Sequence, residues 1–226
     1  MGILIAIDGV DASGKETQSK MLFERLTKSG KSVRSVSFPM YESESSYFVK
    51  EYLAGSYGKN PSDVNAYAAS MLFAADRFAT YRTDWGKNYE NGDIIIADRY
   101  VTSNLIHQAG KISDKSEKKA FIEWEEDFEY NKLSLPRPDI TIFLDMPTEY
   151  ALKLMSGRNN KIDGSSKKDI HESNREYLEK SYKNASDISD MLSWKRICCV
   201  ESGRILSPEE IHCRVIEAVS SLLLLE

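Results

Sequence analysis

Gly9-Val10-Asp11-Ala12-Ser13-Gly14-Lys15-Glu16-Thr17 follows directly on the apolar run Ile3-Leu4-Ile5-Ala6-Ile7. An Ile-rich run without alternation is the pattern of a parallel strand covered on both faces. Glycines then let backbone N–H groups curl around an anion, and a helix starting at the lysine adds its partial positive charge. Strand, glycine loop and helix in this order form a cradle for nucleotide phosphates, with Lys15 as a point charge on the outer ones. One position departs from the pattern. Where a Ser or Thr hydroxyl would ligate Mg²⁺, the chain has Glu16, and Thr17 follows with a hydroxyl able to bond a phosphate.

Working outward, four more short apolar runs read as strands: Val33 to Phe38, Ile94 to Ala97, Ile140 to Leu144 and Ile197 to Val200. Helical spacing lies between them. Met21, Leu22, Arg25 and Leu26 predict a helix ending near Gly30. Val64, Ala68, Met71, Leu72, Ala75 and Phe78 predict a long one, and Ile211, Val215, Ile216, Val219 and Leu222 predict the last. Alternating strands and helices imply an α/β fold, a five-stranded parallel sheet with helices on both faces. No repeat or long linker divides the 226 residues, so one domain spanning residues 1–226 is expected.

The net charge of −5 argues against a general nucleic-acid binder. No apolar run approaches the roughly 20 residues needed to span a bilayer, and no leader segment is evident, so a cytoplasmic protein without a membrane partner is expected. Cys198, Cys199 and Cys213 have no zinc or redox spacing, and the adjacent pair reads as buried thiols in a reducing compartment.

Two further segments carry chemistry. Asp98-Arg99-Tyr100 falls at the carboxyl end of a predicted strand, the edge where open α/β sheets bind ligands. Asp98 could hold Mg²⁺ or its waters and Arg99 could clamp a phosphate, or the two could close the strand end as a salt bridge. Residues 157–168 are polar and glycine-bearing, with Arg158, Lys161, Lys167 and Lys168. Alone this is a solvated loop; coupled to a phosphate cradle it is a candidate mobile lid, spanning about residues 157–170.

With these residues in order, the chain resembles the thymidylate kinase family from Met1 to about Tyr177. The glycine loop resembles that family's phosphate loop, and Asp98-Arg99-Tyr100 with Ser103 and Gln108 its Asp-Arg-Tyr signature. Phe38-Pro39 is similar to the element packing on the thymine ring, and Leu72-Phe73-Ala74-Ala75-Asp76-Arg77 to the segment whose Arg approaches the base. Arg137-Pro138-Asp139 leading to Leu144-Asp145 resembles the strand before the lid helix, and Asp169-Ile170-His171-Glu172 the acidic element beside the lid. The resemblance implies the three-layer P-loop kinase fold, ATP and Mg²⁺ as cofactors, dTMP as acceptor and a homodimer.

It also implies roles. Gly9, Asp11, Ala12, Ser13, Gly14, Lys15, Glu16 and Thr17 would bind ATP. Phe38, Pro39, Tyr41, Phe73, Arg77, Arg99, Ser103, Asn104, His107 and Gln108 would bind the acceptor. Lys15, Arg99, Asp11 and the lid's Arg158 would carry transfer, and Asp98 with Asp11 would face the metal. Several residues keep a second reading. Phe38 could be a core side chain, Asn104 a helix cap rather than a partner for N3–H and O4 of thymine, and Tyr41 a surface aromatic. Arg77 lies off the main apolar stripe and could bond a pyrimidine carbonyl. His107 stands where the family often has tyrosine near the sugar. The glycine loop holds no arginine between its glycines, which makes the lid cations the candidate catalytic set.

A deoxynucleoside kinase shares the phosphate loop and the Asp-Arg turn, but needs a carboxylate base after the second strand, where Glu42 and Glu44 fall. A nucleotide-binding regulatory homologue that lost turnover through Glu16 is the third reading.

Overall fold

A computed structural model describes residues 1–155, 170, 171 and 174–224. At its centre lies β1 (Ile3–Asp8), flanked by β3 (Ile94–Asp98) and β4 (Ile140–Asp145). The outer strands are β2 (Val33–Ser37) and β5 (Lys195–Cys198). Among the described residues these five pair in the order β2-β3-β1-β4-β5, every ladder parallel. The alternation of β1 explains its composition. Ile5 and Ile7 join Leu22, Leu26, Ile142, Leu144 and Val215 on one face. Leu4 and Ala6 join Val36, Trp85, Ile95 and Ala97 on the other. Each large aliphatic buried this way contributes roughly 1.5–3 kcal/mol.

The first face is covered by α1 (Lys15–Lys28) and α9 (Pro208–Leu223). Ser207 opens α9 with a capping box shared with Glu210, followed by Pro208 at the first helical position. The other layer contains α2 (Tyr47–Leu53), α3 (Ala66–Thr80), α4 (Gly86–Glu90), α5 (Val101–His107), α6 (Lys115–Glu126) and α8 (Arg175–Met191). The short α7 (Thr148–Met155) follows β4. Three-layer packing of a parallel sheet thus agrees with the sequence expectation.

Two strand boundaries and one helix start differ from it. β5 begins two residues earlier than the apolar run, and Val200 belongs to an antiparallel pair, β6 (Val200–Glu201) with β7 (Arg204–Ile205). Cys199 is buried as expected, but Cys198 and Cys213 are exposed, because strand alternation turns Cys198 outward. In α3 much of the apolar stripe is turned to solvent. Met71, Ala75 and Phe78 are exposed, while the helix turns Ala69, Ser70, Ala74, Asp76, Arg77 and Thr80 inward. The helix starts at Ala66, capped by Asn65, whose Oδ1 accepts from the Ala68 N–H at 2.9 Å; Val64 stands outside it.

Two single π-turns extend helices, Tyr81–Trp85 after α3 and Asp127–Lys132 after α6. Such turns add a residue to the ring of a helical hydrogen bond and re-aim the side chains around it. The second one carries Glu129 into the protein interior.

Candidate active site

Because all five strands run one way, their carboxyl ends meet at one edge, and the glycine loop leaves β1 there. Gly9 is tightly enclosed: a Cβ at this position would stand 2.7 Å from Ser13 Oγ and 2.9 Å from the Leu144 carbonyl oxygen. Gly14, at φ +91°, turns the chain into α1 without a side-chain cap, so the first N–H groups of that helix remain for a ligand. Lys15 folds back onto its own loop, its Nζ 2.7 Å from the Val10 carbonyl oxygen and 3.1 Å from that of Gly9. Burial, reinforced by the Arg99 charge, brings its pKa down to about 8.

Behind the loop lies an acid that the sequence reading missed. Asp8 is fully buried; its Oδ1 accepts from the Gly9 N–H and from Ser103 Oγ, both at 2.8 Å, and its Oδ2 accepts from Thr102 Oγ1 at 2.7 Å. It ties the loop to the start of α5. A charged residue ending an apolar strand just before the glycines was the available signal.

Arg99 borders two hollows at this edge. Its backbone is in the left-handed region, at φ +69°. The guanidinium pairs with Asp11 and donates to Ser103 Oγ at 3.2 Å, and Nη1 lies 3.1 Å from His107 Nε2. Burial would raise the Asp11 pKa, yet Arg99, with help from Lys15, holds that carboxyl well below its ordinary range. His107 is pushed well below the usual histidine pKa by burial and by Arg99, so its ring is neutral.

One hollow follows the glycine loop and is bordered by Asp11, Ala12, Gly14, Lys15, Glu16 and Thr17, with Asp98 and Arg99 opposite. Ser13, also expected at this site, is not on that border: it is buried with its Oγ against Gly9. Glu16 is exposed on the first turn of α1, a position where a helix N-terminus favours an acid.

The other hollow is narrow, with a free volume of about 70 Å³. Every acceptor residue expected from the sequence lines it: Phe38, Pro39, Tyr41, Phe73, Arg77, Arg99, Ser103, Asn104, His107 and Gln108. Leu53, Asp11 and His171 complete the wall. Phe38 is also core, its ring centroid 6.1 Å from Trp85 and 5.9 Å from Tyr100. Asn104 is not a helix cap; it lies inside α5 with its amide turned to buried acids. Arg77 is not a peripheral charge either, since it is 1 % exposed and ion-paired with Glu129. Among the described residues, Gln108 Oε1 and His107 Nδ1 are buried without a protein partner, polar atoms of the kind that a bound polar ligand satisfies.

Further residues missed by the sequence reading brace this hollow. Tyr52 shares a hydrogen bond with His171 Nε2 at 2.9 Å and accepts from Lys111 Nζ at 3.0 Å. Burial, with the Lys111 charge adding to it, lowers the His171 pKa to about 3, and burial brings Lys111 to about 7. Of the expected lid Ile170 is described, and of the acidic element beside it Ile170 and His171; the Ile170 N–H donates to the Leu53 carbonyl at 3.2 Å. Arg158, Lys161, Lys167, Lys168, Asp169 and Glu172 lie outside the described residues.

A phosphate cradle on a five-stranded parallel sheet, opening through one arginine onto a second hollow with an aromatic wall, defines a nucleotide phosphotransferase of the phosphate-loop kinase class. More narrowly, the chain belongs to the thymidylate kinase family, whose model matches residues 7–202. The thymidylate kinase of Mycobacterium tuberculosis is 35 % identical over 165 residues, covering 72 % of this chain and 74 % of that one. "Probable thymidylate kinase" of Methanosphaera stadtmanae is 34 % identical over 185 residues, 81 % and 86 % of the two chains. The fold matches the solved structure of thymidylate kinase from Candida albicans with a TM-score of 0.72 at 21 % identity, over 100 % of this chain and 94 % of that one. Membership makes this chain a phosphotransferase acting on dTMP. Among the described residues no helix is long and apolar enough to cross a membrane.

Proposed function

We propose that the two hollows are donor and acceptor sites for direct transfer of the ATP γ-phosphoryl group to the phosphate of dTMP. The observation that carries this reading is their shared wall: Asp11, Phe38, Pro39, Tyr41 and Arg99 border both. A cation at that junction faces both phosphates at once. The acceptor is already an ionised phosphate, so positioning and charge neutralisation do the work. Lys15 and the loop amides hold the donor phosphates, and Arg99 orients the acceptor.

Asp98 and Asp11 border the donor site together, and one or two carboxylates beside phosphate oxygens suit Mg²⁺. These two residues would hold it, and its charge would neutralise the bridged phosphates. Arg158 and the neighbouring lysines remain the candidate source of transition-state charge.

At the far end, Phe38 and Phe73 offer apolar faces to a base. Glu129 occupies Nε and Nη2 of Arg77, leaving Nη1 as a donor for a ring carbonyl. Asn104 presents an acceptor for the adjacent ring N–H. A hydroxyl acceptor would need a base; Glu42 and Glu44 are both exposed, and neither lines the acceptor hollow. We read residues 1–226 as one domain, acting in the cytoplasm as a homodimer, with the exposed apolar face of α3 as the supporting observation.

The deciding experiment measures ATP·Mg²⁺ turnover against dTMP, dUMP, dCMP and thymidine. Preference for dTMP is expected. Preference for thymidine would make the protein a nucleoside kinase, and tight binding without turnover would make it a regulatory homologue.

A further inference from the structure

Two carboxyl groups stand behind the base end of the acceptor hollow with no exposure to solvent. Glu125 belongs to α6 and Glu129 to the π-turn that follows, so the pair faces inward together. Buried acids are retained only where they are paired or hydrogen-bonded. Glu129 takes two nitrogens of the Arg77 guanidinium, Nε at 2.7 Å and Nη2 more closely. Asn104 Nδ2 donates to Glu125 Oε1 at 2.6 Å, and lies 3.2 Å from Glu129 Oε1 and 3.3 Å from the Ser70 carbonyl oxygen.

Three acceptors around one nitrogen fix the amide. Half a turn about its terminal bond would drive Oδ1 against the same three oxygens, each with a lone pair facing it. Nδ2 is therefore held to the wall, and Oδ1 is the atom that Asn104 offers the hollow. Arg77 is fixed by the same logic, with Nη1 as its offered edge. A wall of two acids thus sets the hydrogen-bond polarity of the site: an acceptor from Asn104 beside donors from Arg77.

The acids also differ from each other. Burial, and the neighbouring Glu129 carboxylate, hold Glu125 in its neutral form well above the usual carboxylate range, while Arg77 and Asn104 pull the other way. A neutral carboxyl can donate its proton to Glu129 while its other oxygen accepts from Asn104.

We propose that Glu125 and Glu129 are positioning residues for base selection. They orient Asn104 and Arg77 so that the hollow matches a keto pyrimidine edge, a carbonyl beside a ring N–H, and repels an amino pyrimidine edge, whose donor and acceptor are exchanged. The proposal rests on the reading of this hollow as a pyrimidine nucleotide site, and adds to it the residues that enforce the choice.

The test compares kcat/KM for dTMP and dCMP at saturating ATP, with KM for ATP and Tm recorded alongside. Glu125→Leu removes the acceptor that pins Asn104. The dTMP-to-dCMP ratio should then narrow by about tenfold or more, through a raised KM for dTMP, with KM for ATP unchanged. Glu125→Gln should rescue it, because an amide can donate to Glu129 and accept from Asn104 as the neutral acid does. A folded Glu125→Leu protein with an unaltered ratio overturns the proposal. So does Glu125→Gln failing as badly as Glu125→Leu. Should Glu125→Leu not fold, Glu129→Gln decides: a narrowed ratio at unchanged KM for ATP supports the proposal, and an unaltered one overturns it. Wild-type protein that phosphorylates neither nucleotide would defeat the acceptor reading itself, an outcome distinct from a wrong rank order among variants of an active enzyme.

Discussion

Arg99 pairs with Asp11 across the junction of the two hollows while the same guanidinium reaches Ser103 Oγ and His107 Nε2. One planar fork therefore joins the glycine loop to α5. A lysine could keep the charge but lacks the rigid fork that spreads these contacts over two separate nitrogens. Arg99→Lys should lower kcat/KM for dTMP by roughly 100-fold, about 2.7 kcal/mol of transition-state stabilisation, with little change in KM for ATP. Steady-state kinetics check this, and equal losses for both substrates would make Arg99 a strut of the loop instead.

Lys15 rests on the carbonyls of Val10 and Gly9, and on the proposed reading donor phosphates would replace that partner set. With its pKa near 8, a growing share of free protein carries a neutral lysine above that pH. Phosphate favours the charged form, so donor binding takes up a proton there and affinity falls as pH rises through about 8. Calorimetric titration with ATP in buffers of differing ionisation enthalpy measures that uptake directly. Lys15→Ala should retain a cooperative melt and lose transfer by two orders of magnitude or more, as expected when a charge on the transferring group is removed.

The strand cores and the phosphate cradle were legible in the sequence because local chemistry dictates them: five apolar runs, and glycines where backbone must approach an anion. Most residues that line the second hollow were legible too, but only through ordered motifs spread from Phe38 to Gln108. The brace behind it was not. Glu125 and Glu129 stand in a strongly charged stretch, Glu123 to Lys132, whose local pattern is that of a solvated helix. Their burial depends on the π-turn and on Arg77 arriving from a helix some fifty residues earlier. The apolar stripe of α3 is legible as helical spacing, but its exposure is not, since periodicity reports that a face is apolar, not which neighbour covers it.

His171 supplies a pH dependence of stability. Its pKa lies near 3 in the fold, where burial excludes the charged ring, against about 6.5 in the unfolded chain. Between those values the unfolded chain binds a proton that the native state does not, so this group's contribution to stability is intact above pH 6.5 and is lost as pH falls toward 3. At pH 5 the loss from this one group amounts to about 2 kcal/mol. His107 shifts in the same direction and adds to it. Thermal melts from pH 7.5 to 5 should show Tm falling, and falling less steeply in His171→Phe; equal slopes would assign the effect elsewhere.

Tyr67, Met71, Ala75 and Phe78 form one exposed stripe on α3, directly opposite the residues that this helix turns toward the acceptor hollow. Nearby Tyr47 and Phe48 are both 56 % exposed, their rings in edge contact at 5.4 Å. An apolar stripe shared by two copies of one chain is the ordinary basis of a two-fold interface. Sedimentation at micromolar concentration should therefore give a dimer, and Met71→Glu with Phe78→Glu a monomer of unchanged secondary structure. A wild-type monomer would remove the proposal. The double variant has a second consequence, because Arg77 sits between those positions on the opposite face. A helix no longer held by its partner should present Arg77 less firmly, raising KM for dTMP more than it lowers kcat and leaving KM for ATP alone. A monomeric variant with wild-type kinetics would separate assembly from acceptor binding, and the interface would then serve stability alone.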